Sequence, residues 1–163
     1  MSSIQKWTAG TVAASFTTAF SSEVLGLPNL DSIQSSIVID NSTIGDQFCI
    51  ASCQITSSSS TPNTSGLYLS VGLYPLNLDT GTTIYGDNQF ASQVAAPIPG
   101  PYATNGTIPV IQNSTGVIYG TTQPFQMYPG KQVLVLYNAS GVILSTTLSN
   151  TVIKYKTVNL GLF

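Results

Sequence analysis

Leu67, Leu69, Val71 and Leu73 fall on alternate positions, with Tyr68, Ser70, Gly72 and Tyr74 in the gaps. A period of two sends one set of side chains to each face of a strand, and the apolar set belongs on a core. Pro75 has no N–H to give a ladder, so the regular strand is expected to end there. Residues 77–81 (NLDTG) supply turn chemistry: Asn and Asp cap their own backbone, and Gly tolerates positive φ. Residues 82–85 are β-prone again. The stretch 66–90 therefore reads as a hairpin, and its clean apolar face places it centrally in a sheet.

The same pattern of short β-prone runs and turn residues continues along the chain. Strands are expected at 35–40, 47–56, 107–111, 117–119, 131–137, 142–147 and 151–158, separated by Gly, Pro, Asn and Ser. Pro109 demotes its run to an edge. In the last run Val152, Lys154 and Lys156 lie on one side and Ile153, Tyr155 and Thr157 on the other. The lysines mark a solvent face or a guarded edge. Eight to ten short strands in a chain of 163 residues read as one all-β domain, an antiparallel β-sandwich or jelly roll.

Residues 1–30 differ and are expected to form an N-terminal arm with one short helix, followed by the sandwich domain over 31–163. Val12, Phe16, Phe20 and Val24 recur every four residues, as on one helix face, yet residues 12–20 also alternate as in a strand. From 18 to 25 a helix is favoured, because Ser22 and Glu23 fit poorly in a buried strand. Gly26, Pro28 and Asn29 stop it. Trp7 and Phe16 either cover one end of the domain's own core or dock on a neighbouring subunit.

Chemistry is harder to find. Charged residues make up only 6% of the chain, and His and Arg are absent. His-based triads and bidentate guanidinium clamps are thereby excluded. Four lysines are too few for nucleic-acid binding, which needs cations to displace counterions. No apolar run approaches the roughly 20 residues of a membrane span. No basic-then-apolar start marks a secretory signal, so the chain is expected either to stay where it is made or to leave by another route, such as a particle released by lysis. The acids are Glu23, Asp31, Asp40, Asp46, Asp79 and Asp87, mostly set among turn residues rather than paired for catalysis. They show no calcium-loop spacing. Cys49 and Cys53 face the same side of one strand at roughly 13 Å, beyond the ~7 Å reach of a disulfide. They read as two small buried thiols. Five N-x-S/T sequons, at Asn41, Asn63, Asn105, Asn113 and Asn138, are expected by chance in so Asn-, Ser- and Thr-rich a chain. Pro97, Pro99 and Pro101 stiffen residues 95–106, either as a plain connection or as a contact loop presenting Ile98 and Tyr102.

Three stretches are distinctive together: LYPLNLDTGTTIYGDNQF (73–90), AAPIPGPY (95–102) and YPGKQVLVLYNASGVILSTTLSNTVIKYKTVN (128–159), joined by the opening IQKWTAG. The combination resembles small virion structural proteins of tailed bacteriophages, of the kind that decorate or cement the outer face of the capsid. The resemblance covers most of the chain, rests on turns and strands, and carries over no catalytic residue. It implies a non-enzymatic β-sandwich subunit at the virion surface, a homo-oligomer bound to the major capsid protein, with no cofactor, metal, nucleic acid or membrane. Capsid lattices offer three-fold positions, so a homotrimer is expected. Its partner-binding residues are expected to be Trp7, Phe16 and Phe20 on the arm and Ile98 and Tyr102 on the proline loop. Deleting residues 1–20 is then expected to abolish capsid binding and leave the domain folded. The alternative is a carbohydrate- or receptor-binding module of a phage tail or cell surface, with Tyr68, Tyr74 or Tyr102 as a stacking platform.

Overall fold

The computed structural model describes residues 5–56, 68–76, 104–109 and 116–162. They form an all-β antiparallel sandwich of two packed sheets. The strands are β1 (Gln5–Ala9), β2 (Thr17–Thr18), β3 (Asp31–Asp40), β4 (Phe48–Thr56), β5 (Tyr68–Pro75), β6 (Thr104–Pro109), β7 (Val117–Thr121), β8 (Phe125–Gln126), β9 (Lys131–Ala139) and β10 (Thr151–Leu162). The first sheet runs β1-β10-β4-β7, with β2 added to β10 and β8 to β4. The second runs β3-β9-β5-β6.

The core follows from alternation. Cys49, Ala51, Cys53 and Ile55 of β4 and Ile153 and Tyr155 of β10 point inward from the first sheet. Leu69, Val71 and Leu73 of β5 and Leu134 and Leu136 of β9 meet them from the second. Small residues on β4 leave room for the leucines opposite, which is how a two-layer core reaches full packing density. At one side the layers nearly touch: a Cβ on Gly120 would lie 2.5 Å from Ile108 Cγ2, and one on Gly106 would lie 2.5 Å from Thr122 Cβ. β5 has a neighbour on each side, β9 and β6, as its apolar face suggests. Its other face is covered as well, since Tyr74 packs with Leu76, Val133 and Val135 in a second buried cluster. The expected return strand at 82–85 lies outside the described residues.

Three expectations need correction. The helix over 18–25 is a single 3-10 turn, Ser22–Val24. Thr17 and Thr18 pair with β10, and the Ala19 N–H goes to the Ile153 carbonyl, so the backbone is committed to the sheet before a helix can start. Residues 142–147 form no regular strand. The Asn138 amide bonds the carbonyls of Leu27, Pro28 and Val142 and pulls this segment into a crossing between the sheets. Leu144 N–H then bonds the Leu27 carbonyl, and Ser145 N–H the Thr56 carbonyl. Residues 5–30, expected as an arm, are laid into the sandwich. β1 pairs with β10 over its full length, and Ala13, Ala19, Phe20, Val24 and Leu27 are core residues.

The strand expected at 35–40 is the second half of β3 and contains an irregularity. Gln34 faces Val135 and Val38 faces Val133, so Ser35, Ser36 and Ile37 bulge. Ser35 Oγ accepts the Leu134 N–H at 3.2 Å and donates to the Ile37 carbonyl at 3.0 Å, filling gaps in the ladder. Glu23 accepts the Ser36 N–H and hydroxyl at 2.9 and 3.1 Å. An acid that looked available for chemistry thus closes a β-bulge.

Candidate functional site

β10 organises the outer face of the first sheet. Ile153, Tyr155 and Thr157 are buried, so Val152, Lys154, Lys156 and Leu160 look outward. Directly opposed residues in an antiparallel pair share a face. Trp7 lies opposite Leu160, and Phe48 opposite Val158. Ser52 lies opposite both Lys154 and Thr121, and Gln54 opposite both Val152 and Tyr119. The lysines therefore mark an interior strand's solvent face, and the edges of this sheet are β1 and β7.

Three exposed aromatic rings stand on this face, beside the half-buried Phe48. Trp7 is 48% exposed and meets Phe48 edge-to-face at 5.3 Å between centroids. Phe16 is 41% exposed, with Lys156 Nζ 4.8 Å from its ring centre. Tyr119 is 53% exposed. Trp7 and Tyr119 sit near opposite ends, because Leu160 and Val152 are eight residues, or about 26 Å, apart along β10.

Each end holds a groove. The first, about 520 Å³, is lined by Phe48, Leu160, Met127, Pro129, Gln47 and Gln126 among others, beside Trp7. The second, about 470 Å³, lies between Phe16 and Tyr119 over Ser52, Gln54, Thr121 and Lys154.

A buried carboxylate sets the position of the first end. Asp46 accepts the N–H of Thr11 at 2.8 Å, that of Val12 at 2.8 Å and Asn159 Nδ2 at 2.9 Å. Burial pushes its carboxyl up, but these bonds and one from the Thr157 hydroxyl outweigh that and hold it below the ordinary Asp value. Thr157 Oγ1 also accepts the Ala13 N–H at 3.0 Å. The turn carrying Asp46 is braced in turn by Asn41, whose amide bonds the Asp46 and Tyr128 carbonyls and whose Oδ1 accepts the Asp46 N–H. The loop from Gly10 to Ala13 is thereby clamped, and with it the strand that carries Trp7.

Of the sequence-derived partner residues, Trp7 and Phe16 stand on this one face. Phe20 does not: it is 1% exposed and belongs to the core, so it cannot be an interface anchor. Ile98 and Tyr102 lie outside the described residues. Among the proposed stacking tyrosines, Tyr74 is buried. Tyr68 is on the other sheet with its ring 6.3 Å from that of Tyr137. Tyr119 was overlooked, although buried Ile118 beside it in a short strand is the signal that turns Tyr119 outward.

The remaining candidates are structural. Cys49 and Cys53 are free and buried, and burial pushes both thiols up to about 12. Asn41 and Asn138 of the sequons are buried and hydrogen-bonded. Asp40 is bonded by the Ser42 hydroxyl and N–H, which hold it below its ordinary value. Asp79 and Asp87 lie outside the described residues. Among the described residues no cluster of His, Cys, Asp or Glu suited to a metal ion is found, and no helix is long and apolar enough to cross a membrane. No protein-family model matches the chain, and no curated protein is similar enough to count as a relative.

Proposed function

We propose that the chain is a non-enzymatic virion structural protein, a decoration or cement subunit that binds the major capsid protein on the outside of a phage capsid. The resemblance of its turn and strand motifs supports the virion part of this reading. The observation that supports docking is Trp7: a large ring, half exposed, in edge-to-face contact with Phe48 beside a groove of mixed polar and apolar lining. A pre-ordered aromatic ring loses little entropy on binding, and such rings are the usual anchors of protein interfaces. The surface around it has few charges, which suits close packing at high copy number.

On this reading three copies gather around a capsid three-fold position, each docking through the Trp7 end of the first sheet. The test is to add purified protein to capsids that lack it and count bound copies by mass spectrometry and electron cryo-microscopy. Occupancy of hundreds of sites per particle is expected for the native chain. Trp7→Ala is expected to weaken binding about thirtyfold, the loss of about 2 kcal/mol typical of an interface hot spot. A handful of copies per particle, or full binding by Trp7→Ala, overturns it.

A further inference from the structure

We propose that the groove between Phe16 and Tyr119 is a saccharide site that takes a pyranose ring bearing a carboxylate. The proposal is independent of capsid docking, which uses the other end of the sheet.

The floor of the groove is two rungs across three strands. Val152, Gln54 and Tyr119 form one rung, and Lys154, Ser52 and Thr121 the next. Strand spacing of ~4.8 Å and a two-residue step of ~6.6 Å make this a platform of about 10 by 7 Å, the footprint of one or two sugar rings. Gln54 and Thr121 are exposed and offer an amide and a hydroxyl. The Thr121 hydroxyl donates to Ser52 Oγ, which donates to the Gly120 carbonyl, both at 3.3 Å. Hydroxyl bonds normally close to about 2.7–2.8 Å, so this pair exchanges readily for ligand hydroxyls. Tyr119 and Phe16 line the two sides and are both partly exposed, and the Tyr119 ring offers a surface on which the C–H face of a pyranose can stack.

Charge selects the acidic sugar. Lys154 is exposed at the groove, and Lys156, one step further along β10, is held over the Phe16 ring. Among the described residues no Asp or Glu lines the groove. Of the described acids, Glu23, Asp31 and Asp40 are on or bonded to β3 of the other sheet, and Asp46 is spent on the N-terminal clamp. With no carboxylate among the described lining residues, Lys154 at the groove and Lys156 beside Phe16 favour an anion. Two are too few for a nucleic acid, and a peptide strand would add along a sheet edge rather than lie across a sheet face.

The test is a titration of the labelled full chain, followed by amide NMR, with trigalacturonate and sialyllactose as acidic probes and maltotriose and lactose as neutral ones. At least one acidic probe is expected to shift the amides of Gln54, Tyr119 and Thr121 and to bind about tenfold more tightly than either neutral sugar. Tyr119→Ala and Lys154→Gln are each expected to weaken that binding about tenfold, while Tyr68→Ala on the other sheet leaves it unchanged. Circular dichroism checks that all three variants fold. Silence with both acidic probes, equal affinity for neutral sugars, or binding that survives Tyr119→Ala overturns the proposal.

Discussion

The Asp46 carboxylate accepts the backbone N–H of Val12 at 2.8 Å across 34 positions of sequence. That bond, with the companion bond from Thr11, makes the N-terminal segment part of the sandwich. A charged acceptor bonded to backbone donors is among the stronger polar contacts, and its loss leaves partly buried N–H groups unpaired.

Asp46→Asn is therefore expected to cost about 2–3 kcal/mol in urea unfolding. The pH dependence follows from the lowered carboxyl. A depressed acid stabilises fully above its unfolded value, about 3.9, and that contribution is lost as pH falls through the lower folded value. Glu23 is lowered too, its hydrogen bonds from Ser21 and Ser36 outweighing the upward push of burial. Native stability is expected to be flat from about pH 5 to 7 and to fall below about pH 4. Asp46→Asn should flatten that fall; an unchanged acid limb would show that Asp46 does not drive it.

Gly10 stands where the clamp closes. A Cβ there would lie 2.2 Å from Thr157 Oγ1 and 2.7 Å from Asp46 Oδ2. Gly10→Ala is expected to destabilise by about 3 kcal/mol or more, since the clashing atoms are themselves tied by hydrogen bonds. Gly45→Ala is the control. Its φ of +72° is strained for alanine, but a Cβ meets nothing within 4 Å, so about 1–2 kcal/mol is expected. Denaturant midpoints of the two variants measure the difference.

Phe16 and Phe20 lie four positions apart with opposite fates. Phe20→Ala is expected to lose about 3–5 kcal/mol through a cavity in the core. Phe16→Ala and Trp7→Ala are expected to lose about 1 kcal/mol or less, because each ring is half exposed. Deleting residues 1–20 is expected to unfold the domain, as it removes β1, β2 and three core side chains, Ala13, Ala19 and Phe20. Thermal melts separate these cases. A folded 21–163 fragment would show that the clamp is dispensable.

Cys49 and Cys53, with thiols raised to about 12 inside the core, are expected to resist a disulfide-exchange reagent at pH 8. Both should react at once in denaturant. Rapid labelling of the native protein would mean that β4 opens readily.

Much of the fold is legible in the residues. The alternation of 67–73 marks an interior strand, and 47–56 and 151–158 are legible as strands, with Lys154 and Lys156 on one side by a period of two; that β10 is interior rather than an edge comes from the sheet order. The failures share a cause. Thr18 to Leu25 satisfy a helical spacing, yet their first amides bond β10, a strand more than 130 positions away. Residues 142–147 are β-prone, yet the Asn138 side chain takes the Val142 carbonyl that a ladder would need. Asp46 looks like an ordinary turn acid and Glu23 like a helix residue until their distant amide partners are in place.

Local periodicity is a property of neighbours in the chain, so the residue order alone decided that this would be an all-β sandwich with a quiet, nearly charge-free surface. Which rings stay in water is a different matter. Phe20 is buried, and Trp7, Phe16 and Tyr119 share one exposed face, because β1, β2, β4 and β7 gather around β10 in a particular register. That register depends on contacts between residues remote in sequence, and only the folded chain brings them together.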